Sequence, residues 1–448
     1  MSRFPSLRSE AIPRRVVVVN ALALTQLGIG FVGSILVARW AIGRLGLGGF
    51  GDFAFLLGFA AVFALSDLGI IPGLTAEVGG RLRAGRRHAA SRLIYTAGMA
   101  TVAFWLALAV ASIGFLRVAF PDVAPALIWP LATFAISSGI VSAADVLATL
   151  LRVDGNLEYT YASRIAYQIA WIGGVGILYW LFPHWNGVIF LTAAQLCAAV
   201  IYAVLIARGL VQRKGAVIPR RRLWCAVTRS RAWRRAWRLS GPERGVRILG
   251  AMLTLGERSF LMALGAGAVL GSYDLLLRIA AIISAVPAAL AQPLLSMLAS
   301  DAKRSDGGQA YGNAHRYTMR VTAWLALPGL VAATLVWTLF AEALFGVTPE
   351  LPLPLALCVF IAAAVNVQTA SGVAVATING TTGIIGRKVY LEAAGVVVAA
   401  IIGYLAGSAL WFLAIRYAAN ASAAGLFLWQ FRRLQSQQIN DCVTRTVV

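Results

Sequence analysis

The feature that most constrains this chain is a succession of apolar runs, about 18–28 residues each, closed by charge or by turns containing glycine or proline. A helix rises ~1.5 Å per residue, so about 20 residues cross the ~30 Å of hydrocarbon in a bilayer. In hydrocarbon every backbone N–H and C=O must be paired inside the protein, which leaves helix bundles and closed barrels. Barrel strands read as alternating segments of ~10 residues, and these runs are longer and evenly apolar. Composition agrees, since 60% of the 448 residues are hydrophobic and 12% are charged. The expected fold class is an all-α integral membrane protein.

The runs predict twelve spans, at about 16–38, 48–71, 93–116, 125–147, 165–182, 188–207, 246–264, 270–298, 321–345, 351–378, 389–405 and 408–431. The first follows Arg3, Arg8, Arg14 and Arg15 but is too long for the apolar stretch of a signal peptide. It also lacks a small-residue cleavage site, so it is expected to remain as a membrane helix.

Lysine and arginine in short loops mark the cytoplasmic side. If the chain starts inside, 33 of the 39 Lys and Arg fall in cytoplasmic segments, while the outer loops hold Arg39, Arg44 and Arg117. Arg258, Arg278 and Arg416 lie within spans. Both termini are therefore expected in the cytoplasm, and the +22 net charge is mainly a record of topology, with anionic membrane lipids as its secondary partner. Nucleic acid is not an expected partner, because the arginines sit in separate juxtamembrane loops.

The sequence divides into a six-helix half at 1–207, a basic linker at 208–245, a second six-helix half at 246–433 and a cytoplasmic tail at 434–448. In the linker, Leu223, Trp224, Val227, Trp233 and Trp237 alternate with arginines, as in a helix lying at the headgroups. The alternatives are a solvated linker held there by snorkelling arginines and a docking surface for a lipid substrate. An offset of 220 residues aligns Gly51 with Gly271, Phe53 with Tyr273, Leu56 and Leu57 with Leu276 and Leu277, and Ala60 and Ala61 with Ala280 and Ala281. With an even number of spans per half, the halves would be parallel repeats around a central cavity, a chassis suited to rocking.

Charged residues inside a span are costly and face partners or water, which makes them candidates for function. Asp274 and Arg278 stand at i and i+4 and can pair on one face, whereas the adjacent Glu257 and Arg258 point apart and need partners elsewhere. Two readings stand: a self-neutralising structural network, or arginines lining a cavity and forking onto an anion. In the first half the polar insertions are Asn20, Gln26, Asp67 and Asp145. Asn20 and Gln26 suit interhelical hydrogen bonds or ligand contacts. Asp67 can alternatively fix the turn that follows it.

Span one with Asn20 and Gln26, then Ala38-Arg39 through Gly43, Gly49-Phe50-Gly51 and Ser66-Asp67-Leu68-Gly69, resembles the start of polysaccharide flippases. Gly256-Glu257-Arg258-Ser259-Phe260-Leu261, Leu264-Gly265 and Leu270-Gly271-Ser272-Tyr273 through Arg278 resemble that family across its spans seven and eight, although Glu257 stands where aspartate is commoner. The family lies in the multidrug/oligosaccharidyl-lipid/polysaccharide exporter superfamily. The resemblance implies two six-helix lobes around a cavity. It also implies a polyprenyl-diphosphate-linked oligosaccharide as substrate, turned from the cytoplasmic to the outer leaflet of a bacterial inner membrane for lipopolysaccharide or exopolysaccharide synthesis. Glycosyltransferases and a polysaccharide polymerase would be its partners. Arg258, Arg278, Arg39, Asn20 and Gln26 would then contact substrate, with Glu257, Asp274 and Asp67 supporting them or coupling an ion.

The competing readings are a drug or cation antiporter of the same superfamily and a membrane oligosaccharide polymerase or ligase. The first is expected to carry embedded carboxylates without the arginine pair. The second needs a sizeable outer loop for catalytic groups, and every outer loop here is short. No nucleophile-base constellation or cofactor motif is present in the sequence, so no enzyme or cofactor is expected. The four cysteines (Cys197, Cys225, Cys358, Cys442) and three histidines (His88, His184, His315) are too dispersed for a disulfide framework or a metal site.

Overall fold

The computed structural model describes residues 14–67, 84–153, 156–182, 188–212, 241–281, 308–378 and 383–447, together with 74, 77–79, 81–82 and 283. Among these there is no strand. The elements in order are α1 (Arg14–Phe63) with a 3-10 turn at Ala64–Asp67, α2 (Arg87–Ala119), α3 (Ala124–Val153), α4 (Leu157–Leu181) and α5 (Ile189–Gln212). The second half holds α6 (Gly241–Ala263), α7 (267–281) and α8 (Gly308–Leu335) with a π turn at Val336–Phe340, then α9 (Ala341–Phe345), α10 (Leu353–Ile378), α11 (Gly383–Leu405) and α12 (Ala409–Val447). The chain is thus an all-α membrane fold of twelve spans in two six-helix halves.

The described residues of each of the twelve expected spans are mainly helical, the second span being described to residue 67 and the eighth only over 270–281 and at 283. Six of the described helices are long and apolar enough to cross a bilayer. Large apolar side chains such as Val118, Trp180, Trp324 and Leu405 stand out from the bundle, where lipid takes the place of water as solvent.

The structure corrects several boundaries. No loop separates the first two spans: the helix runs through Arg39 and Arg44, and a single kink at Gly46, with φ 69° and ψ 178°, turns the chain back. Only glycine takes that φ without strain, so one residue does what a loop of nine was expected to do. The fifth span starts at Leu157, so Arg164 belongs to a helix and not to a loop. The eleventh and twelfth spans form a helical pair around Gly407, at φ 58°, and the last helix continues to Val447 through most of the expected tail. The basic linker lies largely outside the described residues, which resume at Gly241.

The main core crosses from one half to the other. Phe50, Phe53, Phe55, Phe59 and Phe63 from α1 are buried in the same cluster as Leu270, Tyr273, Leu276 and Ile279 from α7. The alternation of aromatic and small residues along α1 lets α6 and α7 come close, and Gly58 leaves the space that the Arg258 side chain fills.

Candidate functional site

The charged residues of the second half converge on α1. The Asp274 carboxylate accepts from two arginines at once, from Arg258 Nη2 at 2.9 Å and from Arg278 Nε at 2.8 Å. Each guanidinium also reaches across to the first half: Arg258 Nη1 donates to the carbonyl of Ala54, and Arg278 Nη1 to that of Ser34 at 2.9 Å. The Arg278 guanidinium lies 5.5 Å from the centre of the Phe50 ring. Arg258 and Asp274 are 7% and 3% exposed, so this cluster sits in a low-dielectric interior where an unpaired charge is intolerable.

Glu257, adjacent to Arg258 in sequence, faces the other way, as neighbours on a helix must. It accepts from Arg416 Nε on α12 and from the Tyr273 hydroxyl at 3.0 Å. The Tyr273 and Tyr417 hydroxyls stand 2.6 Å apart and extend the chain of hydrogen bonds to α12. Arg416 Nη1 is buried with no hydrogen-bond partner. Among the described residues, three guanidiniums thus share two carboxylates within this network.

The remaining expected site residues lie apart from this network. Arg39 is exposed and donates to the carbonyl of Ala343 on α9 at 2.9 Å, another link between the halves. Gln26 is half-buried on α1. The side chains of Asn20 and Asp67, and the turn after Asp67, lie outside the described residues.

Sequence reasoning did not place Arg416, Tyr273 and Tyr417 in the site. Arg416 alone carried a signal, as the third arginine within a span. A second cluster was also missed. Asp145 on α3 pairs with Arg164, lies 3.4 Å from Arg152, and accepts from the Tyr202 hydroxyl at 2.7 Å. Here too arginines outnumber carboxylates. A third group joins Lys388 to Glu392 at 2.8 Å, with Asn420 bonded to both Glu392 and Asn366.

A cavity of about 260 Å³ opens where the end of α1, α3, α4 and α5 meet the start of α6, and it is lined by Asp145, Tyr167, Gln195 and Arg247 among others. Among the described residues no group of His, Cys, Asp and Glu is placed to hold a metal ion.

No family model and no curated protein matches the sequence. Solved structures do match in fold. An inward-facing multidrug resistance MATE family transporter of the MOP superfamily superposes with a TM-score of 0.67 at 14% identity, over 93% of this chain and 98% of its own. An outward-facing MATE family transporter gives 0.65 at 14%, over 95% and 96%. A MOP superfamily transporter from Pyrococcus furiosus gives 0.66 at 14%, over 94% and 96%, and is described by a binding pocket of reverse polarity that suggests a different function. The chain has the multi-pass membrane fold of MOP superfamily transporters, a fold that occurs in both inward- and outward-facing forms.

Proposed function

We propose that this protein is a flippase that carries a polyprenyl-diphosphate-linked oligosaccharide from the cytoplasmic to the outer leaflet of a bacterial inner membrane, by alternating access of its two halves. The observation that carries the reading is the charge balance of this network, where among the described residues Arg258, Arg278 and Arg416 form ion pairs with two carboxylates, Glu257 and Asp274. A surplus guanidinium in low dielectric favours an anionic ligand and repels the organic cations a drug exporter would bind. A diphosphate can replace carboxylate partners without stranding the arginines, because guanidinium forks onto phosphate oxygens as it does onto carboxylates. The unpartnered Arg416 Nη1 supplies a donor already in place.

In this reading both termini and the 208–245 linker are cytoplasmic, Arg258 and Arg278 hold the diphosphate, and Asp274 and Glu257 keep the arginines oriented when substrate is absent. Cation export, the alternative supported by the fold of the MATE transporters, calls for the opposite charge balance.

Proteoliposomes test the two directly. Wild-type protein is expected to move a labelled polyprenyl-diphosphate sugar across the bilayer and to leave a cationic dye where it is. Arg258→Ala should abolish lipid movement, and Arg258→Lys should keep part of it, since lysine retains charge but loses the planar fork. Dye movement without lipid movement, or full lipid movement by Arg258→Ala and Arg278→Ala at normal protein levels, would overturn the reading.

A further inference from the structure

The cavity at the meeting of α1, α3, α4, α5 and α6 shares no residue with the arginine network, and its chemistry differs. Ser138, Ser142, Tyr167 and Gln195 contribute hydroxyl, phenol and amide groups, Asp145 and Arg247 contribute charge, and Ala60, Ala64 and Val141 form the rest of the wall. The Asp145 carboxylate is already neutralised by Arg164 and Arg152. The Tyr167 ring packs edge-on against Tyr202 with centroids 5.9 Å apart.

We infer that this cavity is a subsite for a neutral sugar ring of the carried glycan. The inference rests on the flippase reading and adds what recognises the glycan. Serine, tyrosine and glutamine side chains both donate and accept, as sugar hydroxyls do, and a carboxylate held by arginines keeps lone pairs for more donors. A cation would find the one carboxylate of the wall already held by two arginines. At about 260 Å³ the space is smaller than the ~300–1,000 Å³ of sites for drug-sized ligands, so it takes a ring and not a whole oligosaccharide.

Its position agrees with a lipid anchored at the arginines. Ala54, whose carbonyl Arg258 grips, and Ala60, in the cavity wall, are six residues apart on α1, about 9 Å along the axis. That separation is within reach of the first sugars beyond a bound diphosphate. Arg247 comes from the second half and the other polar lining residues from the first, so the site is complete only while the halves meet at this end. Rocking apart would dismantle it and release the ring.

The test compares two probes on purified protein in nanodiscs: a polyprenyl diphosphate, and the same lipid bearing a short neutral oligosaccharide. The wild type is expected to bind the glycosylated lipid about tenfold more tightly, the contribution of one or two hydrogen bonds. Gln195→Leu should bring the ratio of the two affinities toward one. Arg258→Ala should weaken both while preserving the ratio. Ser142→Ala, which deletes one oxygen, provides the same measurement if Gln195→Leu does not fold. A ratio of one in the wild type, or a tenfold ratio surviving in both cavity variants, overturns the subsite and leaves the flippase reading standing. Failure of the wild type to bind either lipid overturns the flippase reading and the subsite with it.

Discussion

Gly271 presses against the backbone of Gly51: a Cβ added to Gly271 would lie 3.4 Å from the Gly51 nitrogen and 2.5 Å from the carbonyl oxygen of Leu47. A Cβ added to Gly51 would in turn collide with the carbonyl of Gly267. Residues 51 and 271, and 47 and 267, correspond under the 220-residue offset, so the repeat seen in sequence is also the contact across the two halves. Each half offers the other the same glycine and the same carbonyl.

Because the obstructing atoms are backbone, Gly51→Ala and Gly271→Ala force the halves apart and should each cost about 1–3 kcal/mol. Gly98, which has nothing within 4 Å of its would-be Cβ, is the control, and Gly98→Ala should be neutral or mildly stabilising. Thermal melting of the purified protein in detergent checks this. A Gly51→Ala variant as stable as Gly98→Ala would mean that the halves do not close at this point.

Asp274 holds two arginines, so Asp274→Ala should cost about the ~3–5 kcal/mol of a broken buried pair and should destabilise more than Arg258→Ala. The double variant should be less harmful than the sum, because removing Arg258 relieves one of the stranded charges. A denaturant melt of the four proteins in the cycle measures the coupling. Strict additivity would show that the pair does not interact.

The Tyr202 hydroxyl donates to a charged acceptor, Asp145, at 2.7 Å. Tyr202→Phe removes only that oxygen and should cost about 1.5–3 kcal/mol. Tyr161→Phe on α4, a hydroxyl without a charged acceptor among the described residues, should cost less. The comparison is read from melting temperatures, and equal costs would remove Tyr202 from the network.

The arginine asymmetry leads us to propose that both termini and the linker are cytoplasmic. Single cysteines at Ser6, Gln212 and Gln437, in an otherwise cysteine-free protein, should resist an impermeant thiol reagent applied to intact cells and react after permeabilisation. Reaction of any one of them in intact cells reverses the topology.

The sequence by itself determined the twelve apolar spans, the division into halves and the pairing of Asp274 with Arg278, because each depends on local rules: the length needed to cross hydrocarbon and the i,i+4 neighbourhood on a helix. It also showed that Glu257 and Arg258 must part company. Which partners they found was decided by packing. Arg416 lies about 160 residues from Glu257 and reaches it, with Tyr417 joining through Tyr273, only because the fold brings α12 toward α6, while the Arg258 contact to Ala54 requires α1 to pack against α6. The Asp145 cluster was obscured for a related reason. Arg152 and Arg164 read as loop charges, and only the continuation of α3 to Val153 and the early start of α4 made them the neutralisers of a carboxylate. Periodicity and charge counting act along the chain, whereas a buried charge is satisfied by whatever the fold brings within 3 Å, and that is a property of tertiary structure alone.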